Sequence, residues 1–201
     1  MISPPPPPVP EENMEFALEV FTVFDFLMTE HGFHLVMLEP HVVRFEGPKT
    51  FVQVSFFHQD GDIGCQIGWL SPGGGQPEEG FSMEHIQDLA GLRASGRYIP
   101  FQASSRPQAM MLLPLLARYI KAYAGPVLIG DPVALDELRR IRSEEAELLR
   151  RRHQLAPIRA DAERAWHAKD FPHLVALFEP IRDDLTPAER KKLEYCRKRC
   201  G

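Results

Sequence analysis

The stretch TFVQVSFFHQDGDIGCQIGWL, residues 50–70, decides the fold. β-Branched and aromatic residues fill both of its halves. Between them stands Asp60-Gly61, a dipeptide suited to a tight hairpin because glycine accepts the left-handed backbone that such a turn requires. In the second half Ile63, Cys65, Ile67 and Trp69 alternate with Gly64, Gln66 and Gly68, a period of two that makes one large apolar face. Working outward, two more strand-like runs precede it, at 33–38 and 41–46, with Glu39-Pro40 and Gly47-Pro48 at the connections. Links this short allow only antiparallel pairing. The sequence therefore predicts a four-stranded antiparallel meander with strands at 33–38, 41–46, 50–58 and 62–70.

The apolar face of the fourth strand needs a partner layer, and a helical stripe just upstream supplies one. Ala17, Val20, Phe21, Phe24, Leu27 and Met28 recur at helical spacing and Gly32 follows as a stop, which predicts one amphipathic helix packed on the sheet. Cys65 then reads as a small buried hydrophobe. Downstream, residues 72–80 read PGGGQPEEG. A phosphate-cradling loop would need a Lys and a Ser or Thr opening the next helix. Here Glu78 and Glu79 stand in the loop instead, so it is read as a flexible surface loop. Ser82 is placed to cap a helix over 83–93, and Ser105 with Gln108 forms a capping-box pattern opening a longer helix that ends at Ala124-Gly125-Pro126. That helix is apolar on most sides around Pro114, where a kink is expected.

At Gly130-Asp131-Pro132 the composition turns Arg- and Glu-rich, and Asp131 can cap a helix whose first residue is Pro132. The expected organisation is a disordered polyproline tail over 1–10, an α+β domain over 11–130 and a small all-α module over 131–201. In the module, Leu135, Leu138, Ile141, Leu148 and Leu155 make a narrow stripe, and Phe171, Leu174, Val175, Phe178, Ile181 and Leu185 make a second. Thr186 to Glu189 reads as a capping box before the stripe Leu193, Cys196 and Cys200.

Charge sorts along the same boundary. The whole chain carries −5, but residues 1–130 hold 7 basic and 14 acidic groups, against 16 and 14 in residues 131–201. The first part, at −7, attracts cationic partners and repels nucleic acid. No apolar run reaches the ~18–20 residues of a membrane span. The start, Met1-Ile2-Ser3 followed by prolines, lacks the basic and apolar parts of a signal peptide. Three cysteines are too few for a disulfide framework. The expectation is a cytoplasmic protein.

The chemistry-bearing motifs are missing. None of the eight histidines belongs to a paired metal motif, Cys196 and Cys200 share a helix face without a second ligand pair, and no nucleophile elbow or dinucleotide fingerprint occurs. The sequence is therefore expected to hold no catalytic residues, no metal site and no cofactor. The basic clusters Arg150-Arg151-Arg152 and Arg190-Lys191-Lys192 are interleaved with acids and read as solvated helix faces.

Two resemblances arise from particular residues. AWHAKDF, residues 165–171, followed by Phe178, resembles one tetratricopeptide-type helical hairpin with an aromatic wedged after the turn. More broadly, the helix ending TEHGF at 29–33, the meander and the ending LTPAERKKLEY at 185–195 resemble small bacterial immunity-type proteins of polymorphic toxin systems. That resemblance implies a protein that sequesters another protein, such as a basic nuclease-type toxin. The expected function is accordingly a non-catalytic protein-binding factor, immunity-like or chaperone-like. The alternatives are a helical nucleic-acid binder and a hydrolase whose triad is assembled only in space. The expected partner surface comprises Asp60 and Asp62 at the hairpin tip and Glu78 and Glu79 in the glycine-rich loop.

Overall fold

The computed structural model describes residues 14–57, 62–70 and 77–200, and the polyproline tail and the Asp60-Gly61 turn lie outside them. The chain divides into two compact units, Met1–Arg142 and Ser143–Gly201. The division falls inside a long helix, past the composition change at Gly130. Because residues 131–142 hold three acids and three bases, the units keep the −7 and +2 of the shorter count.

The first unit is α+β. Its strands are β1 (His34–Glu39), β2 (Val42–Glu46), β3 (Thr50–Phe57), β4 (Asp62–Leu70) and β5 (Pro77–Ser82). They form one antiparallel sheet in the order β1-β2-β3-β4-β5. The sheet has five strands, not the expected four. Residues 77–80 were expected in a loop, yet they pair with β4, with Phe81 opposite Ile67, Gly80 opposite Gly68 and Glu79 opposite Trp69. Pro77 is tolerated because it is the first residue of an edge strand, where a missing N–H removes no necessary ladder bond.

The helices are α1 (Glu15–Val23), α2 (Phe26–His31), α3 (Met83–Leu89), α4 (Arg106–Tyr123) and α5 (Gly125–Leu128). The expected first helix is thus two. At the break, Leu27 N–H donates to Phe24 O and Met28 N–H to Asp25 O, a tightening to three-residue spacing. An unbroken helix would send Phe24 and Phe26 in nearly opposite directions. The break lets Phe24, Phe26 and Leu27 all bury. Gly32 ends α2 with φ 70°, the left-handed stop that its position predicts.

The core joins these helices to one face of the sheet. Val43 and Phe45 of β2, Val52, Val54 and Phe56 of β3, Ile63, Cys65, Ile67 and Trp69 of β4 and Phe81 of β5 pack with Phe16, Val20, Phe24, Leu113, Leu116 and Ile120. Helix α4 is amphipathic, with Met111 and Pro114 on its exposed side. Pro114 therefore frees the Met110 carbonyl toward water, where it costs least. Thr50, fully buried, donates its hydroxyl to Leu128 O at 2.7 Å. That bond ties β3 to the end of α5, whose last carbonyls have no helical partner.

Helix α6 (Pro132–Ala168) follows Gly130, which has φ 72°, and Asp131, whose carboxylate accepts from Val133 N–H at 2.9 Å. From Ser143 to Gln154 every residue of α6 is exposed, including Leu148 and Leu149. The second unit then folds around Leu155, Ala162, Ala165, Leu174, Phe178, Leu185, Leu193 and Cys196. It comprises the end of α6, α7 (Phe171–Phe178), a 3-10 helix (Glu179–Asp184) and α8 (Pro187–Cys200). A tight turn at Lys169, with φ 59°, joins α6 to α7, and Asp170 caps α7 by accepting from His173 N–H. The Thr186 and Glu189 capping box is present in both directions. Cys200 is exposed, so it leaves the stripe that Leu193 and Cys196 bury.

Candidate functional site

The sheet's second face carries the arrangement with most chemical content. None of its residues joins the core cluster. Alternation puts Val42, Arg44 and Glu46 of β2, Phe51, Gln53 and Ser55 of β3, and Gly64, Gln66 and Gly68 of β4 on this side. Phe51 stands opposite Gly68, and Gly68 in turn opposite Gly80. With no side chains on those two residues, the Phe51 ring lies down over them. A Cβ on Gly68 would stand 2.3 Å from Phe51 Cε1 and 2.2 Å from Glu79 O.

On the upper side of that ring sits Arg44, its guanidinium carbon 4.0 Å from the ring centroid. Arg44 Nε donates to Glu46 Oε1 at 2.8 Å, and Nη1 reaches Gln53 Oε1 at 3.5 Å. Both anchors come from this same face and hold the guanidinium over the ring. Phe51 is 2% exposed and Arg44 9%. Arg44 Nη2 is buried with no hydrogen-bond partner among the described residues. A buried donor left unpaired costs roughly 1–3 kcal/mol, and such a group calls for an explanation beyond packing.

A second feature lies beside β4. Ile63 N–H donates to Phe101 O at 3.1 Å, while pairing with β5 begins only at Gln66. Between these points opens a cleft of about 300 Å³ lined in part by Cys65, Gln66, Ser82, Glu84, Gln87 and Tyr98. Its polar groups are largely engaged with one another. Gln87 holds the backbone of Ile99 at both ends, through Nε2 at 2.9 Å and Oε1 at 2.8 Å, and the Tyr98 hydroxyl donates to Glu84 at 2.8 Å. Burial, and then the Glu84 carboxylate, hold the Tyr98 phenol above its ordinary pKa. Burial pushes the Cys65 thiol up to about 12, so at neutral pH it is a neutral packing group and not a nucleophile.

Of the sequence-expected partner residues, Asp62 and Glu79 lie far apart on the sheet. Asp60 lies outside the described residues. Asp62 opens β4 opposite Phe57, and Glu78 is a residue of β5. Glu79 stands opposite Trp69, seven positions along β4 from Asp62, which at ~3.3 Å per residue is about 23 Å. Nor is Glu79 a solvated loop acid, as expected. Arg139 Nε donates to it at 2.6 Å and Arg142 pairs with its other oxygen, with the Arg142 guanidinium also stacked over Phe81. Its side chain is 12% exposed. Glu79 thus anchors the first turns of α6 onto β5.

Arg44 escaped the sequence reading because an arginine at a polar position of an alternating strand resembles any solvated side chain. The available signal was the coincidence of Gly64, Gly68 and Gly80 on one face near an aromatic residue. Among the described residues, no group of three or more His, Cys, Asp or Glu side chains converges as a metal site, and no helix is long and apolar enough to cross a membrane. No protein-family model, curated protein or solved structure matches the chain.

Proposed function

We propose that this chain is a non-catalytic protein-binding protein, immunity-like or chaperone-like, whose α+β unit holds its partner on the sheet face outside the core. The observation that carries this reading is the Arg44 guanidinium, stacked on Phe51, braced by Glu46 and Gln53, and left with one buried donor unpaired. Arginine and aromatic residues dominate the energetics of protein interfaces because they bring large rigid surface and directional donors together. Nη2 itself is buried, so a backbone carbonyl or carboxylate of the partner takes it up only as the side chains over it give way. The unit's −7 charge favours a partner that is basic overall, through faster encounter at low salt.

The test is calorimetric titration of the purified chain with the product of the neighbouring reading frame. Arg44→Met, which keeps much of the stacked volume and removes the donors, should weaken the complex at least about tenfold while leaving the circular dichroism unchanged. A complex with the same affinity for wild type and Arg44→Met would overturn the assignment of this face.

A further inference from the structure

The other end of the sheet presents a different surface. β1 is an edge strand, paired only with β2. Every residue of it except Leu35 is exposed, including Val36 at 44%, Met37 at 38% and Leu38 at 36%. Soluble proteins generally protect such an edge with lysine, proline or a covering segment, because its unpaired backbone groups recruit another strand. The opposite edge strand, β5, differs in opening with a proline, Pro77, and in carrying Glu79, which pairs with Arg139 and Arg142 of α6. β1 carries six residues, HLVMLE, with no lysine and no proline.

The order of those residues is self-complementary. If two copies of β1 run antiparallel about a two-fold axis between Val36 and Met37, His34 of one stands opposite Glu39 of the other. Leu35 then stands opposite Leu38, and Val36 opposite Met37. Such a register works only if opposed residues project from the same face, and residues 34 and 39, an odd number of positions apart, would not do so in a regular strand. The β1 bulge removes this obstacle. The pairing with β2 skips Val36, so that His34 lies opposite Glu46 and Glu39 opposite Val42, two positions of one face, while Leu35 and Leu38 lie opposite Phe45 and Val43 on the other. Each strand brings the same extra residue to the centre, so the two bulges match.

We infer that β1 is the interface of a two-fold dimer of this chain, joining two five-stranded sheets edge to edge. Of the strands that could cap this edge, a second copy is the one the sequence of β1 itself fits, since it sets His34 against Glu39 at both ends and leucine against leucine between them. The inference goes beyond the proposed function and does not depend on it, because pairing at the edge leaves the Arg44 face of each sheet open.

The test measures the dimer dissociation constant of the full chain by sedimentation equilibrium for wild type, His34→Glu, Glu39→Lys and the double variant. Both side chains are exposed, but His34→Glu also faces Glu46 across β1–β2 whereas Glu39→Lys faces Val42, so circular dichroism and the urea midpoint of each monomer serve as fold controls. His34→Glu sets acid against acid twice per dimer and should weaken it about tenfold. Adding Glu39→Lys to the same chain should restore the dimer to wild-type strength or better, and mixing the two single variants should yield a mixed dimer in native mass spectrometry. A chain that stays monomeric across the concentration range would overturn the inference, as would a dimer indifferent to His34→Glu or a double variant no tighter than His34→Glu alone.

Discussion

Substituting Gly68 by alanine tests how the Arg44 face is built, because the same strand offers an internal control. A methyl group there would meet Glu79 O at 2.2 Å and the Phe51 ring at 2.3 Å, about 1 Å inside the ~3.3 Å at which carbon and carbonyl oxygen normally approach across a sheet. The carbonyl belongs to the β4–β5 pairing and cannot swing away, and the ring is held down by Arg44. Overpacking costs roughly 1–3 kcal/mol when neighbours can shift, and with both neighbours constrained the upper end, about 3 kcal/mol, is expected. At Gly64 the only close contact is Ser55 Oγ at 2.5 Å, with the next atom at 3.7 Å. A hydroxyl can rotate away, so Gly64→Ala should stay within about 1 kcal/mol of wild type. The assay is urea unfolding followed by tryptophan fluorescence in a Trp166→Phe background, so that Trp69, 8% exposed and edge-on to Phe81, reports the first unit alone. With a denaturant slope of ~2 kcal/mol/M, Gly68→Ala should lower the midpoint by about 1.5 M. If it proved no more costly than Gly64→Ala, the account of Phe51 lying over glycines would be refuted.

Further outcomes follow from single contacts. Thr50→Val should cost about 1–3 kcal/mol by stranding the Leu128 carbonyl, with Thr50→Ser far milder because it keeps the donor, both read from the same urea midpoints. The Cys65 thiol, raised from 9.0 to about 12 in the folded chain, contributes stability that is complete below pH ~8.5 and is lost as pH rises toward 12. Cys65→Ala should therefore flatten the fall in stability over that alkaline range, and native Cys65 should resist thiol reagents that label Cys200. Asp170→Ala removes the cap of α7 and should destabilise the second unit by roughly 1 kcal/mol, visible as a lower melting temperature by calorimetry.

Much of the first unit is legible in its residues, and the exceptions have specific causes. β2, β3 and β4 follow from alternating apolar positions and short turns, and their observed bounds lie close to the expected ones. β5 is illegible because Pro77, Glu78, Glu79 and Gly80 have poor strand propensity. It forms by pairing with β4 and by the capture of Glu79 by two arginines some sixty residues later, a tertiary contact that no local window contains. The break between α1 and α2 hides in an apolar periodicity that continues across it. The candidate site was harder still. Glu78 and Glu79 read as charges in a loop, whereas Arg44 sits inside a strand and acquires its setting from Phe51, Gln53 and two glycines brought together only by the sheet register.

The bare stretch of α6 from Ser143 to Gln154 also fixes where the polypeptide breathes. Its backbone hydrogen bonds are shielded by no packed side chains, so the free energy that keeps them closed is little more than that of an isolated helix, near the bottom of the range found within one protein. Amide protons there should exchange with solvent well ahead of those in either core, and trypsin should find Arg150, Arg151 and Arg152 during these openings. The first stable fragments of a limited digest would then end within α6, each carrying one intact core.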